Sequence, residues 1–238
     1  PMSLPLAKTV IEYSPLGISM DDRQSIDLAA MLCSRLCHDL LSPVGALSNG
    51  LELLAMESDA EMRANVMQLL EQSALISTNK LKFFRLAFGA AGGFGERVEI
   101  AEPKALIAAL IADKPNITIE WALAEPTLGK PAVKVLLNFA QIAIDALVRG
   151  GTLDIGAEMR DGACEIVVRA IGPKIAFDDT IGKALDGSLD RADLTSRTAA
   201  AHMINLLATE SGGGLQYHKG PDALVLGAVL PAGEGLIG

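Results

Sequence analysis

Apolar residues recur at alternating steps of three and four from Ile26 through Ala29, Cys33, Leu36, Leu40, Val44, Leu47 and Leu51 to Leu54. A period of about 3.5 residues marks a helix that buries one seam against a partner helix. The pattern predicts a first long helix over residues 22–57. Ser58 and Asp59 offer side-chain oxygens to cap a second helix, and the apolar period resumes through Val66, Leu69, Leu70, Ile76, Leu81, Phe84 and Phe88. Two such helices in succession form an antiparallel hairpin. A lone hairpin has more apolar seam than it can cover, so its cheapest burial is against a second copy of itself. The expectation is therefore a dimeric four-helix bundle, and the chain is expected to be a homodimer.

Past Phe88 the periodicity stops, and residues 89–95 hold four glycines in seven positions. This is linker composition, with the boundary expected near residue 92. It divides a hairpin over 20–91 from a second domain over 96–238. In the second part short alternating runs predict strands near Val98 and over 117–121, 152–158, 164–170, 215–218 and 223–229. Helices are expected over 103–113, 131–149 and 195–210. Interleaved helices and paired strands suggest an α+β sandwich with helices layered on one sheet. Gly212, Gly213 and Gly214 follow the last helix and precede a strand, which makes them a stop signal rather than a phosphate loop.

Composition narrows the partners. Of 238 residues 20 are Lys or Arg and 29 are Asp or Glu, a net charge of −9, so the dense basic field that neutralises nucleic-acid phosphate is missing. Nucleic acid is not an expected partner. No run approaches the roughly 20 apolar residues of a membrane span, and the first residues lack a secretory pattern. Cys33, Cys37 and Cys164 are an odd number, a poor disulfide framework. The expected setting is a reducing cytoplasm, without a membrane.

His38 carries the candidate chemistry. At about 100° per residue it stands about 200° from both Leu36 and Leu40, and so projects away from the seam. The same side carries Arg35, Ser42, Gly45, Asn49 and Glu52, all polar or small. A histidine on a helix surface is ordinarily just a solvated side chain, but its neighbours here change the reading. Asp39 stands beside the imidazole and can orient it or take its proton, and a neutral imidazole is a usable nucleophile. Pro43 lies inside the helix, where it costs a backbone hydrogen bond and about 3 kcal/mol, and it is expected to kink the helix one turn beyond His38. The candidate catalytic residues are His38 and Asp39. Arg35, Ser42, Pro43, Gly45 and Asn49 are candidates for contact with another protein. A metal cluster of Cys33, Cys37 and His38 is disfavoured, because His38 is turned about 100° from Cys37 and no fourth ligand is in view. No metal or cofactor site is expected within the chain.

The run His38-Asp39-Leu40-Leu41-Ser42-Pro43 resembles the H-box of sensor histidine kinases, in which the histidine is phosphorylated, the acid assists and the proline bends the helix. The order of hairpin and α+β domain resembles the same kinases, in which an ATP-binding domain follows the dimerisation and phosphotransfer domain. The nucleotide boxes, however, are altered. The stretch from Leu136 to Leu147 matches the kinase N-box, but Ile142 stands where an asparagine would hold nucleotide-bound Mg²⁺, and a hydrocarbon offers that ion no oxygen. Where the next box has an aspartate reading adenine and a second glycine, this chain has Ala170 and Lys174. The segment 193–198, which should hold a glycine-rich lid, has no glycine.

A phosphorylatable histidine without an ATP site can still receive phosphate from another protein. The run from Ser34 to Ala46, with Asn49 to Leu54, is similar to the ChpT-type histidine phosphotransferases of alphaproteobacteria. That resemblance implies that His38 takes phosphate from the receiver domain of a CckA-like hybrid kinase. It would pass it to receivers of CtrA-like and CpdR-like cell-cycle regulators, with Mg²⁺ supplied by the receiver. Two other readings stay open: a pseudokinase scaffold that docks receivers without carrying phosphate, and a residual ATP-dependent histidine kinase.

Overall fold

The computed structural model of the chain describes residues 20–89 and 97–231. Its first element is the long helix α1 (Met20–Met56), followed by α2 (Ala60–Phe88). The turn between them is built from side chains that satisfy backbone ends. Asp59 caps α2 by accepting from the Met62 amide at 2.8 Å, and Arg63 donates from Nη1 to the carbonyls of Leu54 and Glu57 at the open end of α1, at 2.7 and 2.8 Å. The expected linker boundary near residue 92 lies outside the described residues.

The second unit opens with β1 (Arg97–Glu99) and α3 (Ala101–Leu110), then β2 (Ile117–Leu123), β3 (Thr127–Gly129) and α4 (Lys130–Ala146). β4 (Gly151–Arg160), β5 (Ala163–Ile171), α5 (Asp179–Leu185), α6 (Ala199–Glu210), β6 (Gly214–Lys219) and β7 (Ala223–Pro231) complete it. Five strands form one sheet in the order β2-β4-β5-β7-β6, and β1 pairs with β3 in a separate antiparallel ribbon. β2 runs parallel to β4, with Ile119 beside Leu153, and the remaining pairs are antiparallel. The β4–β5 hairpin turns at Asp161 and Gly162, both at positive φ, as a two-residue turn of matching twist requires. Gly212, at φ +73°, ends α6 ahead of β6, so the glycine triplet serves as the expected stop signal.

The sheet is covered on one face. Leu153, Ile155 and Ala157 of β4 and Ile166, Val168 and Ala170 of β5 point under α4, while Asp154, Val167 and Arg169 alternate onto the open face. α4 buries eleven residues, Phe139 and Leu136 among them. Phe83, Phe84 and Ala87 of α2 belong to the same continuous apolar cluster, so the base of the hairpin is welded into the core of the second unit. Lys134 strengthens the junction by donating from Nζ to the Gly89 carbonyl at the end of α2, at 2.6 Å.

The apolar seam predicted for α1 divides in two. Leu36, Leu40, Leu47 and Leu54 are half-buried against α2, but Ile26, Ala29, Cys33, Val44 and Leu51 are exposed within the single chain. The inward line instead includes Pro43, which is buried, and Gly50, where an added Cβ would lie 2.7 Å from the Leu70 side chain. A period of three and four marks a stripe broad enough to face two neighbours, and one partner helix covers only part of it. The predicted elements are otherwise found within a few residues, while β3, α5 and a 3₁₀ turn at Arg191–Asp193 carried too few periodic residues to be foreseen.

Candidate phosphotransfer site

His38 lies at the middle of α1, and its side chain is 85% exposed. Its Nδ1 is 3.2 Å from Oδ1 of Asp39. A carboxylate can only accept, so Nδ1 carries the proton and the lone pair of Nε2 is left pointing to solvent. Asp39 is itself held. Arg35, one helical turn back, donates from Nε to Oδ2 at 2.9 Å. Burial raises the Asp39 pKa, but hydrogen bonds from Arg35 and His38 and the charges of Arg35 and Lys80 outweigh it, so the carboxyl sits below its ordinary value. The carboxylate thus stays charged beside the imidazole.

Pro43 has no amide hydrogen, which deprives the Asp39 carbonyl of its helical donor, the amide four residues on. Lys80 of α2 supplies the replacement, donating from Nζ to that carbonyl at 2.9 Å. The helix is continuous through Pro43.

A groove of about 740 Å³ opens beside the histidine. Its walls come from α1 (Arg35, His38, Asp39), from α2 (Phe83, Phe84, Phe88) and from the second unit, where Asn138, Ile142, Asp145 and Arg197 face it. Phe84 and Phe88 stack at 5.4 Å between ring centres and line the α2 side. Arg35 also reaches across the groove, with Nη2 3.5 Å from Oδ2 of Asp145 on α4. Desolvation raises the Asp145 pKa, against hydrogen bonding from Gln141 and the charge of Arg35, so this carboxyl is less ready to ionise than an ordinary aspartate.

The predicted contact residues fall into two groups. Ser42 and Asn49 are exposed on α1, and Gly45 is half-buried, with nothing within 4 Å of a Cβ built upon it. One expectation needs correcting. Pro43 is buried between the helices, because its ring turns toward α2, and so it is not part of a surface that another protein could touch. Arg35 is half-buried and lines the groove beside His38, with its guanidinium engaged by Asp39 and Asp145. Lys80 and Asp145 were not foreseen as members of the site. The signal for Lys80 was present, since an internal proline obliges some donor to meet the carbonyl four residues earlier. Among the described residues no group of three or more His, Cys, Asp or Glu side chains is placed to hold a metal ion.

Comparison with known proteins puts this arrangement in company. Residues 100–223 match the family model described as "Histidine phosphotransferase C-terminal domain". The chain is 34% identical over 205 residues to Protein phosphotransferase ChpT of Brucella abortus (strain 2308), covering 86% of this chain and 96% of that one. A solved structure of a bacterial phosphotransferase superposes with a TM-score of 0.73 at 30% identity, over 86% of this chain and 96% of the other. The Acinetobacter baumannii histidine kinase AdeS is matched at 13% identity and a TM-score of 0.45, over 83% of this chain and 98% of that one. No helix among the described residues is long and apolar enough to cross a membrane.

Proposed function

The chain belongs to the family of ChpT-type histidine phosphotransferases, and from that premise we propose that His38 is its phosphoryl carrier, shuttling phosphate between the receiver-domain aspartates of other two-component proteins. The observation that carries the reading is the exposed imidazole whose Nδ1 is tied to Asp39, leaving Nε2 free at the mouth of the groove. In the forward step the Nε2 lone pair attacks phosphorus of a receiver aspartyl phosphate in line with the leaving group. The N–P bond forms, the P–O bond to the aspartate breaks, and its electron pair returns to the receiver carboxylate. The imidazolium so formed keeps its Nδ1 proton and is stabilised by Asp39. Onward transfer reverses these bonds with a second receiver. Mg²⁺ held by the receiver's own carboxylates neutralises the phosphoryl oxygens.

The ring's exposure suits a protein donor, since a receiver must bring its aspartate to within bonding distance. Ser42, Gly45 and Asn49 offer a low, polar path beside it. The open Gly45 supports close approach, because nothing within the chain itself requires a glycine there. The hairpin (20–91) is read as the transfer and dimerisation part, with Leu51 and Val44 of α1 turned toward a second copy. The second unit (96–238) is read as docking surface and brace. Its residues at the kinase nucleotide positions do not suit ATP: Ile142 presents hydrocarbon to the groove, and Ala170 is fully buried in β5 without an oxygen to offer adenine. CckA-like donors and CtrA-like and CpdR-like acceptors, within a cytoplasmic cell-cycle relay, are the partners this reading favours.

The test is incubation with labelled ATP alone, then with labelled ATP plus a hybrid kinase that phosphorylates its own receiver. Label reaching the chain only in the second case, and lost in His38→Ala, is the expected result. Label from ATP alone would establish a kinase, and label in neither case would leave a docking scaffold.

A further inference from the structure

We infer that Lys80 is a positioning residue for the phosphotransfer histidine: its ammonium takes the place of the amide hydrogen that Pro43 lacks, and so sets the orientation of the helical turn that presents His38 and Asp39. This deepens the proposed relay role of His38 and rests on it. Three observations meet at one peptide group. Pro43 lies inside α1, so the carbonyl four residues back, that of Asp39, has no helical donor. Lys80, 41 positions away on α2, donates to that oxygen at 2.9 Å. The side chain of the same Asp39 receives Nδ1 of His38 on one oxygen and Arg35 on the other. The peptide plane at Asp39 is therefore gripped from α2, while its carboxylate is gripped from within α1.

An unmade bond to a carbonyl turned away from water is costly, and a turn lacking it tilts until some donor is found. Lys80 removes the need for that tilt. Its charge also lies close to Asp39 and helps to hold the carboxylate ionised. Removing only a hairpin contact would loosen the two helices without regard to Pro43. Removing the surrogate donor, by contrast, matters only while the proline is present, and this separates the two roles.

The experiment is a double-mutant cycle of Lys80→Met and Pro43→Ala. The Met side chain keeps much of the aliphatic stem and loses the donor, while P43A restores an amide to the Asp39 carbonyl. The first readout is the ring tautomer of His38 by ¹⁵N NMR. The chain has 3 histidines, so H38A assigns the signal. The second is the single-turnover rate of phosphoryl arrival from a phosphorylated receiver. K80M in the Pro43 background should lower the Nδ1–H to Nε2–H ratio at least about twofold and slow transfer roughly tenfold, the scale of a hydrogen bond to a charged group. In the P43A background K80M should change either by less than about twofold. Equal losses in both backgrounds, or none in the first, overturn the proposal. Should K80M alone fail to fold while P43A/K80M folds, the dependence on Pro43 is displayed in stability itself; should both fail to fold, Lys80 serves the hairpin irrespective of Pro43 and the inference falls. A wild-type His38 that takes no phosphoryl would sink the relay reading, whereas the tautomer cycle would still decide for or against Lys80.

Discussion

α4 and α1 are both rich in apolar residues at helical spacing, yet they meet opposite fates. α4 buries eleven of its 17 residues between the sheet, α2 and α6. α1 has 37 residues, and among those whose side chains are described only Pro43 is buried, with Leu41 70% and Leu51 60% exposed. One helix is the centre of a finished core, and the other leaves apolar side chains exposed within the single chain. Apolar periodicity therefore states that a face needs covering without saying what covers it. His38 sits on the helix left open, with its side chain 85% exposed.

This contrast can be attacked directly. The largest effect is expected in α4: Leu136→Ala empties space in a fully buried position and should cost about 2–5 kcal/mol in chemical denaturation. The same truncation in α1, Leu51→Ala, should change single-chain stability by no more than about 0.5 kcal/mol, and should instead weaken self-association in sedimentation. A loss at Leu51 as large as that at Leu136, independent of protein concentration, would erase the distinction between the two helices.

The smallest effect concerns the brace between the two regions. Asp39 has a lowered pKa in the folded chain, so it contributes stability that is present above its unfolded pKa, near 3.8, and is lost as pH falls through the lower folded value. Removing the strongest helper with Arg35→Gln should move that loss to higher pH, seen as an earlier onset in acid titration of Tm. Asp145 runs the other way: its raised folded pKa is a cost present once pH exceeds that value and relieved on acidification. Asp145→Asn should accordingly leave Tm unchanged or slightly higher at neutral pH, with the difference closing as pH falls toward 4. A marked loss of Tm at neutral pH would mean that the bridge to Arg35 outweighs desolvation.

Much of the site was legible in linear order. The outward direction of His38 follows from its angle to Leu36 and Leu40, and the contact with Asp39 follows from adjacency. The bridge from Arg35 was not legible, because helical angle places Arg35 on the side of His38 but says nothing of α4, whose Asp145 lies 110 positions along the chain and across the groove. Pro43 was read as a feature of the surface because a lost hydrogen bond is visible in sequence, whereas the side its ring faces depends on where α2 lies. The division of the α1 seam was hidden for a similar reason, since a broad stripe and two narrower ones share one period.

Local chemistry thus wrote the helices, their caps, the turn at Asp161 and Gly162 and the exposed imidazole, because each depends on residues within about one turn or one hairpin of one another. Tertiary structure alone decided the donor to the Asp39 carbonyl, the bridge from Arg35 to α4, the parallel pairing of β2 with β4 and the weld of Phe83 and Phe84 into the second unit's core. Those pairings join segments far apart in the chain, and only the summed burial of the whole fold offsets the entropy of bringing them together.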